Sequence, residues 1–158
     1  MPATLIRRAT RADVDTLQTL LEEQATHHGE RLEAGAEALE RHGFGQMPLF
    51  RALLAERAGQ ALGFALYYPD FSTLRGRPGV MLQDIFVRPE GRGTGLGRAL
   101  LAEVIADAAD WEAAFLTLML DRANDKARAF YARHGFVPRG DYDLLILEGP
   151  GLAALTDG

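Results

Sequence analysis

A mixed α/β architecture is what this sequence predicts, and three observations predict it. An apolar run, Val80–Val87, leads into a glycine-rich turn, Arg92-Gly93-Thr94-Gly95-Leu96-Gly97, and then into an amphipathic stretch, Arg98–Ala109. A second apolar run, Ala114–Leu120, precedes another helical stretch, Asn124–His134, which Gly135 ends. Upstream, the β-rich runs Leu49–Arg57 and Ala61–Tyr68 flank Ala58-Gly59-Gln60, a short hairpin connection.

The elements follow in order. Thr4–Arg8 reads as a first strand. Thr10 is placed as an N-cap with Asp13 three residues on, a variant of the capping box. Val14, Leu17, Leu20 and Leu21 then recur at helical spacing, giving a helix over about Ala12–Ala25. A second helix is expected over Leu32–Arg41, stopped by Gly43. Pro69–Gly79 carries two prolines and two glycines and reads as a loop. Val80–Val87, broken only by Gln83 and Asp84, reads as a central strand. Leu96, Leu100, Val104 and Ala108 share one helical face. Phe136–Val137 and Tyr142–Leu147 supply the last strands, and Gly151–Gly158 reads as a frayed tail. One domain over 1–150 with a short C-terminal tail over 151–158 is the expected organisation.

Composition removes several function classes. The chain has 158 residues and a formal charge of −5. At this length roughly 68–70% of the unfolded surface can be buried, so a core needs no metal or disulfide. With no cysteine, thiol nucleophiles, disulfides and cysteine–zinc sites are excluded. The mild acidity argues against a nucleic-acid partner, since Arg88, Arg92 and Arg98 make one small anion site rather than a basic face. No run reaches the ~20 apolar residues of a membrane span, and Met1–Thr10 has no apolar core of signal-peptide length. A cytoplasmic protein without a membrane partner is expected. His27 and His28 are adjacent and point ~100° apart on a helix, so they read as surface residues and no metal site is expected.

The glycine turn holds the chemistry. Alternating glycines leave its inner side free of side chains, so main-chain N–H groups can close on a bulky anion at a helix N-terminus. A phosphate-binding P-loop needs lysine and a hydroxyl after its last glycine, and here Gly97 is followed by Arg98-Ala99. No register fits the dinucleotide fingerprint Gly-x-Gly-x-x-Gly. What remains is Arg92-x-x-Gly95-x-Gly97 after Asp84-Ile85-Phe86-Val87-Arg88-Pro89. This pattern resembles motif A of the GNAT superfamily of N-acetyltransferases, where the turn wraps the pyrophosphate of acetyl-CoA. A second segment, from Asn124 through Phe130-Tyr131 to Gly135-Phe136, is similar to that family's other signature, Asn-x(5 or 6)-Phe-Tyr-x-x-x-Gly-Phe.

Within the family the chain looks most like the spermidine/spermine (diamine) acetyltransferases. The likeness rests on His42-Gly43-Phe44-Gly45, Pro48-Leu49-Phe50, Gly63-Phe64-Ala65-Leu66-Tyr67-Tyr68, Leu82-Gln83-Asp84-Ile85-Phe86-Val87 and the two motifs. The resemblance implies a mostly antiparallel sheet, splayed between its two central strands and flanked by helices. It implies acetyl-CoA as cosubstrate, held by Ile85, Phe86, Val87, Arg92, Gly93, Thr94, Gly95, Leu96, Gly97, Arg98, Asn124, Lys126, Ala127 and Tyr131. It further implies direct attack by a primary amine of a small polyamine-, diamine- or lysine-like molecule. Tyr131 would be the general acid, since a phenol of pKa near 10 keeps its proton at neutral pH. Relatives of this kind often pair through their last strands, so a homodimer is expected.

One residue departs from the pattern. Where those relatives carry a glutamate that takes the amine proton, this chain has Gln83, and a carboxamide can only orient water or substrate. Asp84 is a possible base, but in a regular strand it points to the opposite face, unless a bulge intervenes. Asp121, Glu22 and Glu23 are further candidates, and a water wire without a dedicated base is another. An amino acid, an aminoglycoside-like amine or a protein N-terminus remain open as acceptors. A catalytically silent acyl-CoA-binding module is the alternative outside enzymes.

Overall fold

The computed structural model describes residues 2–157. The chain divides into two compact units, Met1–Met119 and Leu120–Gly158. The first carries β1 (Thr4–Arg8), β2 (Arg51–Arg57), β3 (Gln60–Ser72), β4 (Arg77–Val87) and β5 (Leu116–Leu118), which form one five-stranded sheet in that spatial order. The first four strands are antiparallel and β5 joins β4 in parallel, so the sheet is mixed as the sequence predicts.

Alternation of side chains assigns the two faces. Ala52, Leu54, Phe64, Leu66 and Phe86 line one face, packed against Leu17, Leu20 and Leu21 of α1 (Val14–His27). The start of α1 is fixed locally: the Asp13 carboxylate accepts from the Thr10 N–H at 2.7 Å, as the capping pattern requires. Arg7 grips the same carboxylate through two N–H groups at 2.8 Å and holds its pKa down to about 2. α2 (Ala36–Gly43) begins at Ala36 rather than Leu32, because Gly35 takes the extended N-cap conformation. Gly43 lets the Phe50 ring pack against the helix end, since a Cβ there would displace that ring.

The opposite face is covered by α3 (Leu96–Asp107), whose Leu100 and Val104 are fully buried. Asp107 ties this helix down by accepting from the Tyr67 hydroxyl at 2.5 Å and from Arg8 at 2.6 Å. Trp111 is packed in place, with the Arg51 guanidinium 4.2 Å above its ring and Tyr67 at its edge.

Several expectations are corrected. Pro69–Gly79 is not a loop, because β3 and β4 run on as a two-stranded ribbon through Pro69↔Val80 and Phe71↔Pro78. Both prolines lie beyond the reach of β2 and β5, where a missing N–H breaks no ladder. Ala114–Leu120 forms a ladder only over Leu116–Leu118, all half-buried. In the second unit, α4 (Asp125–Arg133) matches the expected helix, with Gly135 past its end at φ 87°. Phe136–Val137 and Tyr142–Leu147 form no strand among the described residues, and Leu144, Leu145 and Ile146 are at least 75% exposed. A strand needs a partner, and the described residues of this unit contain none to pair with. The stretch read as a frayed tail instead forms α5 (Gly149–Thr156), with a proline pre-setting its first turn. Gly158 lies outside the described residues.

Candidate active site

The centre of the first unit is the end of β4, and a single extra residue shapes it. The register runs Leu66↔Asp84 and then Tyr67↔Leu82, so Gln83 is a β-bulge with no partner on β3. Its effect shows in the main chain. Before the bulge an even-numbered residue turns to β5, with Val80 N–H donating to Phe115 O at 2.9 Å. After it, an even-numbered residue turns to β3, with Arg88 N–H donating to Leu62 O at 2.8 Å. Side chains switch faces with the main chain. Asp84 and Phe86 now share the face of Leu66 and Phe64, beneath α1.

Asp84 is therefore brought to the α1 side despite standing next to Gln83. Gln83 is drawn to the same side, its Oε1 accepting from the Tyr68 hydroxyl at 3.2 Å. Burial under α1 pushes the Asp84 carboxyl well above the ordinary carboxylate range, to about 6, and the charge of His28 opposes the rise. Among the described residues no hydrogen bond reaches this carboxylate. The other candidate bases are each engaged. Glu23 is clamped by Arg88 through contacts of 2.7 and 2.8 Å, Glu22 accepts from Gln18 at 2.9 Å, and Asp121 caps its own turn through the Ala123 N–H.

The same bulge opens an edge. β5 pairs with β4 only over Val80–Leu82, so among the described residues Gln83–Val87 has no neighbouring strand on that side. This is the splay that the resemblance implied. The alternation that turns Arg88 toward β3 turns Ile85 and Val87 outward. Their carbonyls are met by side chains, Gln24 Nε2 at 3.4 Å from Ile85 O and Arg92 Nε at 2.8 Å from Val87 O.

The glycine turn follows directly. Gly93 and Gly95 have φ of 72° and 81°, which any side chain would strain, and beyond their chain neighbours no atom of the described residues lies within 4 Å of where a Cβ would stand. Thr94 pins the turn by donating its hydroxyl hydrogen to Gly91 O at 2.6 Å. The first intrahelical bond of α3 starts at the Ala99 N–H, so the N–H groups of Leu96, Gly97 and Arg98 stand free at an N-terminus with no acidic residue in its first turn. These features fit a pyrophosphate held by main chain.

In the second unit, Asn124 Oδ1 accepts from the Ala127 N–H at 3.1 Å and caps α4. Lys126 is exposed on the first turn. Tyr131 is half-buried, edge-on to Phe130 at 5.3 Å and Phe136 at 5.2 Å, and its burial raises the phenol pKa further. It therefore keeps its proton at neutral pH.

Sequence reasoning missed Gln24, Tyr68 and His28 as neighbours of this strand. Gln24 left a readable signal, being a polar residue on the apolar stripe of Val14, Leu17, Leu20 and Leu21. His28 left none, because its proximity to Asp84 arises only in tertiary structure. A separate cavity of about 370 Å³ opens beside Arg8, Phe44, Phe50, Arg51 and Trp111. It lies where β1 ends and β2 begins, at the end of the sheet away from the glycine turn. No His, Asp or Glu cluster among the described residues has metal-binding geometry.

Residues 15–136 match the Acetyltransferase (GNAT) family. The chain is 31% identical over 145 residues to the thialysine N-epsilon-acetyltransferase of Bos taurus, and 32% to that of Sus scrofa, covering 85% of each chain in both cases. Among solved structures it resembles an integron cassette protein from the mobile metagenome of V. cholerae, with a TM-score of 0.81 at 21% identity over 98% of both chains. The chain belongs to the GNAT acetyltransferase family and is an acetyl-transferring enzyme. A silent binding module is thereby set aside.

Proposed function

We propose that the protein transfers the acetyl group of acetyl-CoA to a primary amine of a small molecule, of the polyamine, diamine or lysine-like class, by direct attack within a ternary complex. One observation carries this reading: the outward N–H groups of the splayed β4 segment lead straight into an open, acid-free helix N-terminus. Main-chain N–H groups from Gly93 to Arg98 would hold the pyrophosphate, with Arg92 beside them. Ile85, Phe86 and Val87 would flank the pantetheine arm, and Asn124, Lys126, Ala127 and Tyr131 are assigned contacts through the second motif. Acetyl-CoA supplies an acyl group activated by a thiolate leaving group.

The chain's own groups then divide the work. The Val87 N–H donates to the acyl oxygen, where negative charge develops. Asp84, poised near pH 6 by burial, accepts a proton from the amine, whose acidity rises as its nitrogen bonds to carbon. Gln83 and the Tyr68 hydroxyl orient the acceptor or its water. Tyr131 donates its proton to the departing sulfur. With no cysteine in the chain, no thiol nucleophile takes part. A lysine-like acceptor is favoured by the thialysine-acetylating relatives. The same reading makes the enzyme a cytoplasmic homodimer, working where acetyl-CoA is available.

The test is thiol release from acetyl-CoA across thialysine, lysine, spermidine, short diamines, aminoglycosides and amino acids. Turnover with at least one small primary amine is the expected result, and no release with any of them would refute the reading.

A further inference from the structure

An unpaired strand edge normally alternates free donors and free acceptors. The open edge of β4 does not. On it the outward carbonyls of Ile85 and Val87 are already met by side-chain donors, and those donors come from two different elements. Gln24 reaches Ile85 O from the last turns of α1, and Arg92 reaches Val87 O from the turn that follows β4.

Each donor is unusual in its own setting. Gln24 is 9% exposed and stands in an otherwise apolar core, where a polar side chain persists only if it is paired. The partner shown for it is this carbonyl. Arg92 is an exposed cation, yet it folds back along the strand, with its guanidinium carbon 5.8 Å from the centre of the Phe86 ring.

The two carbonyls belong to the peptide planes immediately before and after the one that carries the Val87 N–H. On the inner edge the Arg88 N–H is fixed to β3. On the outer edge no strand among the described residues supplies restraint. We propose that Gln24 and Arg92 are positioning residues, pinning the Ile85 and Val87 carbonyls so that the Val87 N–H is held outward as a pre-oriented donor for the acyl carbonyl of the cosubstrate. Each carbonyl keeps a second lone pair, so the caps orient the segment without closing it to a ligand. This inference rests on the acetyl-transfer reading for its ligand, and its geometry stands independently of that reading.

Three variants separate positioning from charge. Arg92→Gln keeps an N–H donor and loses the cation, Arg92→Ala loses both, and Gln24→Met keeps length and burial without a donor. Amide hydrogen exchange at Phe86, Val87 and Arg88, followed by NMR on the ligand-free protein, needs no turnover. Exchange is expected to quicken about tenfold or more in Arg92→Ala and Gln24→Met, and Arg92→Gln should recover most of that change. In steady-state assays the two donor-less variants should lose about tenfold in kcat. For Gln24→Met, which lies outside the residues assigned to the coenzyme, the Kd for CoA, which carries no acyl carbonyl, should move less than about threefold.

Unaltered exchange in Arg92→Ala and Gln24→Met would overturn the proposal. So would an Arg92→Gln variant as impaired as Arg92→Ala with CoA binding lost in both, which would make Arg92 a phosphate-binding cation. If the parent enzyme released no thiol with any amine, the functional reading would fall while the exchange data still decided the role of the caps.

Discussion

Asp84 shows how far a residue's chemistry depends on its surroundings. Its carboxyl is displaced to about 6 by burial, so the folded state binds this proton more tightly than the unfolded chain does. Stability should therefore fall as pH rises from about 4 to about 6 and then level, since the buried ionised form is the disfavoured one. Asp84→Asn removes that cost, and its Tm above pH 6 should rise by a few degrees while kcat falls by about 10²-fold or more. The pH profile offers an independent check. A neutral amine nucleophile gives log kcat/KM a slope of about one below the amine pKa, and an ionising base adds a second unit of slope below its own pKa. The parent enzyme should bend from slope two to slope one near pH 6, and Asp84→Asn should keep slope one throughout. Loss of neither the bend nor the rate would remove Asp84 from the mechanism. For Tyr131, whose phenol is held protonated by burial, Tyr131→Phe should lower kcat by about 10²-fold with little change in CoA affinity. An unchanged kcat would leave the phenol without a catalytic part.

Among the elements, the turn between β4 and α3 was fully legible, because its constraint is local. Gly95 caps α3 at φ 81° and Gly93 stands at φ 72°, conformations that other residues adopt only with strain. Gly95→Ala should cost about 1–2 kcal/mol of stability through that dihedral alone. It should also weaken CoA binding, which calorimetry on the folded variant reads directly. Wild-type affinity in Gly95→Ala would show that the turn does not grip the coenzyme. The capping at the start of α1 by Thr10 and Asp13 was equally readable from a three-residue spacing. The ribbon through Pro69 and Pro78 was not. Proline and glycine signal a break in the chain, and whether a strand tolerates them depends on which of its edges has a neighbour.

At the scale of the molecule, the second unit exposes Leu144, Leu145 and Ile146 in succession. Covering them in a homodimer is part of the proposed function. Light scattering should give about twice the 17.3 kDa chain mass, and Leu145→Glu with Ile146→Glu should shift it toward one chain mass. A monomeric parent would remove the dimer from the reading. By itself, the sequence determined the mixed α/β class, the glycine cradle, the helix caps and the Asn124–Phe136 motif, since each is written in short-range spacing and dihedral preference. Tertiary structure alone decided on which face of β4 the Asp84 carboxylate lies. The register between β3 and β4 gains one residue at Gln83, and that step turns Asp84 beneath α1, opens the outer edge, and brings Gln24 and Arg92 to its carbonyls. Register is a pairing between distant segments, and no local pattern around position 83 encodes it.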